Sequence, residues 1–280
     1  MARFLSGSGW LLACLMALWP ILSTAQGTPL IVGVLPTLSP RVLLNNYQPF
    51  RAYLEQTLKR PVEMVTATDF VAFHQSTMAG DYDIVVTAAH LGRLAQMEGG
   101  YLPLATYKSA NRAMLMTSRA APLKSIRDLR GHVAATLDRF ALITGQAMVW
   151  LEQQGLHERI DYRLLEAPSH NSAAYSVLSG ESALAIISPA GWKQMPANIR
   201  NDLQVFADLS AIPGLMWLAN PRLVREVPRL KSVLLAFSPD FLEGKQFFQV
   251  TGYQGMREIT HEEMKSLDPY TQYLQQHLGR

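Results

Sequence analysis

Apolar and polar positions along this chain fall into two alternating patterns. Short apolar runs rich in β-branched residues, "LIVGVLP" (30–36), "VEMVTA" (62–67) and "YDIVVTAA" (82–89), have the length and composition of buried strands. Between them, apolar residues recur at helical spacing. Val42, Leu43, Tyr47, Phe50, Leu54 and Leu58 predict a helix over 42–58. Asp69 opens a second helix that runs through Met78 and stops at Gly80, and a third covers 90–98. The runs "YLPLAT" (101–106) and "RAMLMTS" (112–118) follow. The pattern then restarts with a short helix, a turn at Gly131 and a strand within 126–136, a helix over 142–154, a strand over 162–167, a helix over 170–179 and a strand over 183–188. After "LQVFADL" (203–209) and "PGLMWLAN" (213–220) the signal is mostly helical.

Strand–helix–strand repetition with short links predicts an α/β fold of mainly parallel sheets covered on both faces. Two such series, separated near 107–113, predict two lobes. Residues 26–112 and 206–280 form the first and 113–205 the second, with two chain crossings and a cleft between them. In open α/β sheets ligands collect beyond the carboxyl ends of strands, where helix N-termini carry unpaired N–H groups. Ser39, Thr68, Thr87, His90, Thr144, Ser169, His170 and Ser188 all fall at such strand-to-helix junctions. If both lobes turn these ends to one cleft, they make a polar clamp for a small ligand.

The composition is globular, with 49% hydrophobic and 17% charged residues. A net charge of +3 gives no concentrated basic stripe and no case for nucleic acid. The N-terminus has Arg3, an apolar core from Trp10 to Leu22, then Ser23-Thr24-Ala25. That order reads as a secretory signal peptide over residues 1–25, its core shorter than the roughly 20 residues of a membrane span. The single cysteine, Cys14, lies inside it, so the exported chain would hold no disulfide. Catalytic signatures are missing. "HEEM" (261–264) lacks the second histidine of a zinc-protease helix, and there is neither a Gly-x-Ser-x-Gly elbow nor a P-loop. The chain reads as a binding protein without a cofactor or metal.

Five stretches, in order, resemble one family: "GVLPTLSPRVLLNNYQPFRAYLE" (33–55), "VTATDFVAFHQSTMAGDYDIVVTAAH" (65–90), "SIRDLRGHVAAT" (125–136), "APSH" with "VLSGESALAIIS" (167–188) and "IPG" (212–214). The sequence is similar to the periplasmic solute-binding proteins of phosphate/phosphite/phosphonate ABC transporters. The resemblance implies a type II periplasmic-binding fold that closes around an anionic solute and delivers it to a membrane permease. It implies that His170 is an anion-binding histidine and that Phe70 and Thr87 line the pocket. Where the family has an Asn-Ser-Thr-Ser-Gly loop, this chain has Ala141-Leu142-Ile143-Thr144-Gly145, and Ser188 stands where an acid often meets a ligand amine. Arg139 is then a candidate bidentate anion contact.

Each candidate has a plainer reading. His170, Ser39, Thr68 and Ser169 can cap their own helices. His90 and Arg139 can be surface residues. Phe70, Trp217, Met114 and Met116 can be packing. Two partners are open, an ABC permease for a transport protein or a membrane histidine kinase for a sensor, and a scaffold binding only protein is a third reading. The expected state is a periplasmic monomer.

Overall fold

The computed structural model describes residues 28–278, so the expected signal peptide lies outside the described residues. The first sheet holds β1 (Leu30–Val34), β2 (Val62–Val65), β3 (Ile84–Ala88), β4 (Leu102–Tyr107), β12 (Leu215–Ala219) and β13 (Met256–Arg257), in the order β13-β4-β12-β3-β1-β2. The second holds β6 (Met114–Ser118), β7 (Val133–Thr136), β8 (Arg163–Glu166), β9 (Leu184–Ile187) and β10 (Leu203–Asp208), in the order β10-β6-β9-β7-β8. Between them, β5 (Ala110–Asn111) pairs antiparallel with β11 (Ile212–Pro213), so the two chain crossings are bonded to each other. β10 stays in the second sheet through Asp208, past the expected boundary at 205.

The sheets are mixed rather than mainly parallel. β2-β1-β3 and β8-β7-β9 are parallel, as the alternation predicts. β12 runs antiparallel to β3 and β4, and β6 runs antiparallel to β9 and β10. The cause is the double crossing. β4 leads out to the crossing and β12 returns from it. β6 leaves the crossing and β10 leads back.

Local chemistry sets the helix ends. α1 (Pro40–Leu58) begins with proline, whose missing N–H costs nothing at a first turn, and buries the expected Leu43, Tyr47, Phe50, Leu54 and Leu58. In α2 (Phe70–Ala79), the Asp69 carboxylate accepts the Ala72 N–H at 2.8 Å, and Gly80 takes the left-handed conformation at φ 80° that ends it. α3 (Ala89–Gly99), α4 (Leu142–Gln153), α5 (His170–Leu178), α6 (Pro189–Gln194) and α7 (Ala197–Asn201) complete the crossover helices. α8 (Val227–Ala236), α9 (Leu242–Thr251), α10 (His261–Lys265) and α11 (Asp268–Leu278) follow β12.

One face of the first sheet packs on α1, α8 and α9, the other on α2, α3 and α11. The second sheet lies between α4 and α5. Trp217 is core, fully buried and stacked on Phe50 with ring centroids 4.6 Å apart; Phe237 lies 4.1 Å from the same ring. Met114 and Met116 are packing residues of the second core. Phe50 is the common neighbour of Trp217, Phe237, Phe247 and Tyr53, so its truncation opens a cavity among large rings. Phe50→Ala is expected to lower unfolding stability by about 3–5 kcal/mol, measured by urea denaturation. A loss under about 1 kcal/mol would show that this cluster is not what holds the first lobe.

Candidate ligand cleft

The carboxyl ends of the parallel strands in both sheets carry the predicted residues, and those residues form separate groups. In the second lobe Ser169, His170 and Ser188 come together. Ser169 caps α5, its hydroxyl accepting the Ser172 N–H at 3.0 Å. Ser188 caps α6 by accepting the Gly191 N–H at 3.0 Å, and its oxygen also lies 3.1 Å from His170 Nε2. His170 Nδ1 is buried and has no partner. Burial holds the ring's pKa below the usual histidine value, so the imidazole is neutral at neutral pH. The ring lies against the α6 backbone. A Cβ at Gly191 would run into it, 2.5 Å from Cγ, so only glycine leaves room for this histidine.

A second group spans the lobes. His90, in the first turn of α3, is completely buried, and its Nε2 lies 3.0 Å from the Phe140 carbonyl of the second lobe. A carbonyl only accepts, so Nε2 carries the proton and the neutral ring's Nδ1 is left as an unpartnered acceptor. Burial lowers the pKa from 6.5 to about 4, opposed by the Phe140 bond, with His74 lowering it further. Gly145 of α4 faces this ring, Cδ2 standing 3.8 Å from where a Cβ would be.

Several expected contacts are taken up by the protein itself. Thr144 is fully buried; it donates to the Asp138 carbonyl at 2.7 Å and lies 2.6 Å from the Thr136 hydroxyl, which leaves it no free donor. Arg139 is not a free surface cation. Its Nε donates to Glu166 at 2.8 Å and another guanidinium nitrogen reaches Glu158 at 3.4 Å. Thr68 donates to Asp69 at 3.0 Å. Ser39 is exposed at the start of α1 and makes no capping bond. Phe70 is half-buried against the first-lobe core. Thr87 is buried in β3 with an unpartnered hydroxyl.

The rim is acidic. Burial raises the Asp138 carboxyl, and Glu166 and Asp69 raise it further against the Phe140 N–H and Arg139. This is where the two lobes oppose like charges. A separate hollow, lined by Ser118, Arg119, Ala120, Leu178 and Asp202, opens at the other end of the second sheet and holds none of the predicted residues.

Sequence reasoning missed Gly191, the Phe140 carbonyl and the Asp69–Asp138 opposition. Only Gly191 left a trace, as the glycine three residues after Ser188 in a segment otherwise ready to be helix.

A family model described as an ABC transporter, phosphonate, periplasmic substrate-binding protein matches residues 32–264. The chain belongs to this family. Its members are periplasmic solute-binding proteins that work with an ABC permease rather than enzymes. Among solved structures, XAC2383 from Xanthomonas citri bound to chloride ion is 18% identical with a TM-score of 0.78, over 88% of this chain and 97% of that one. PhnD1 from Prochlorococcus marinus in complex with methylphosphonate is 16% identical with a TM-score of 0.73, over 88% and 98%. A histidine kinase sensor domain with similarity to periplasmic binding proteins is 15% identical with a TM-score of 0.55, over 82% and 99%. The shared architecture is the type II periplasmic-binding fold.

The buried His90 gives this phosphonate-family protein a defined acid response. Its folded pKa lies below its unfolded value, so the folded state binds fewer protons between pH 6.5 and about 4. The contribution is complete above that window and lost as pH falls through it. We expect His90→Gln, which cannot titrate, to remove on the order of 3 kcal/mol of this pH dependence, read as a flatter urea midpoint between pH 7 and 4. An unchanged slope would mean that His90 protonates in the folded protein at no cost.

Proposed function

We propose that this protein captures a small phosphonate-like oxyanion in the interlobe cleft, with His170 as the principal donor, and hands it to an ABC permease as a periplasmic monomer exported by the segment 1–25. The observation that carries this reading is the buried, unpartnered Nδ1 of His170 at the N-terminus of α5. If the Ser188 hydroxyl, already accepting from Gly191, donates to Nε2, the ring proton sits on Nδ1 and needs an acceptor. A buried donor left unpaired costs about 1–3 kcal/mol, which an anion at this helix end would recover.

Ser188, Ser169, Thr87, Phe70, Thr68 and Ser39 are the remaining candidate cleft contacts. Thr144 and Arg139 act in support of the second-lobe rim, and His90 between the lobes. The PhnD1 complex with methylphosphonate makes that compound the natural first probe. The acidic rim at Asp69, Asp138 and Glu166 disfavours a polyanion. The likeness to a kinase sensor domain supports a second reading, in which the same capture is reported to a membrane sensor.

Thermal unfolding with methylphosphonate tests the capture. At 100 times its dissociation constant a ligand adds about 2.7 kcal/mol. The shift is expected to vanish in His170→Ala and in Gly191→Ala, which displaces the ring. A shift retained in both variants would remove His170 from the site. Solute uptake lost on deleting the protein favours transport over sensing.

A further inference from the structure

The C-terminal helix α11 belongs to both lobes. Leu274 is fully buried in the first-lobe cluster with Leu91, Leu94 and Met264. Tyr273, its neighbour in sequence, is buried instead in the second-lobe cluster with Ile143, Ala147 and Tyr162. At its start, Asp268 accepts from Arg93 Nε of α3 at 2.7 Å, and near its end Gln275 donates to Glu98 at 2.7 Å. The helix therefore lies in the angle between α3 and α4. Leu142 of α4 packs in turn into the first-lobe cluster, so the start of this second-lobe helix is gripped from the first.

From this geometry we infer that α11 is an interlobe strap, with Tyr273 and Asp268 as positioning residues that set the angle at which the cleft captures its ligand. They touch no proposed ligand contact. Tyr273 acts through α4, whose first turn carries Gly145 opposite His90 and Tyr273, and Asp268 acts by anchoring α11 to Arg93 of α3. A hinge protein whose lobes swing freely is competent only for the fraction of time its lobes are correctly apposed, and its apparent affinity falls by that fraction. The strap supplies the apposition before ligand arrives. The Tyr273 ring does this by filling space, since its hydroxyl is buried without a partner. Tyr273→Phe should therefore keep the strap and Tyr273→Ala should release it.

The consequence for affinity rests on the cleft reading above, whereas the lobe angle does not, so the two are measured separately. Spin labels placed on Asn45→Cys in α1 and Glu181→Cys before β9, both exposed and in a Cys14→Ser background, report the interlobe distance in ligand-free protein. We expect one narrow distance in the parent and in Tyr273→Phe. In Tyr273→Ala and in Asp268→Ala, with folding checked by circular dichroism, it should become broad or longer. Asp268 is 40% exposed, so its loss leaves both cores intact if the tyrosine variant does not fold. Methylphosphonate affinity should fall about tenfold in the released variants if one molecule in ten keeps the competent angle. A distance unchanged in a folded released variant overturns the strap. A changed distance in a protein that never binds methylphosphonate keeps the strap and overturns the cleft reading.

Discussion

The chain passes between its lobes twice, and a single buried amide holds both passages. Gln146 of α4 accepts the Ala113 N–H at 2.7 Å on the first crossing and donates to the Ser210 carbonyl at 2.8 Å on the second. A buried amide must find partners for its oxygen and its nitrogen, and here each crossing supplies one. With β5 and β11 bonded to each other beside it, the register of the crossings is fixed. The start of α4 is fixed with them, and so is everything that meets it: the Phe140 carbonyl under His90, the Thr144 hydroxyl under Asp138, and Tyr273 against Gly145.

Several of the polar groups at the strand ends are engaged within the protein. A buried donor or acceptor left unpaired costs free energy, and several here are satisfied internally. Asp69 and Ser169 close the first turns of α2 and α5. Arg139 is neutralised by two glutamates, and Thr144 sits in a closed chain of hydrogen bonds. Among the predicted residues the Thr87 hydroxyl, His90 Nδ1 and His170 Nδ1 are left without partners, and the His170 ring is held against α6 by the absence of a side chain at residue 191. Burial keeps the His170 ring neutral, and under the proposed function it would offer an uncharged donor to the ligand.

The elements themselves were legible wherever periodicity ran for more than a turn or two. Apolar spacing located α1 and α4, and Asp69 with Gly80 bounded α2 to within a residue, because caps act locally. The antiparallel members β6 and β12 were not legible as such, since strand direction depends on the crossings rather than on local pattern. The two-residue strands β5, β11 and β13 are too short to show alternation. For the site, sequence located the candidate residues at the carboxyl ends of strands, which is where Ser169, His170 and Ser188 lie. It could not tell which were already engaged, because the partners lie far along the chain. Fifty residues separate His90 from Phe140, and 27 separate Arg139 from Glu166. The role of α11 was hidden for a related reason. Adjacent residues, Tyr273 and Leu274, serve different cores, and an amphipathic pattern shows only that both are apolar.

The central claim is that His170 holds the anion. It is tested most directly by nitrogen-15 spectra of the imidazoles in protein labelled at its seven histidines. The His170 resonances are assigned by their loss in His170→Gln. Adding methylphosphonate is predicted to move the His170 Nδ1–H resonance sharply toward a strongly hydrogen-bonded state while the exposed histidines stay where they are. A saturable binding isotherm with the His170 resonances unmoved would contradict the account and place the ligand elsewhere.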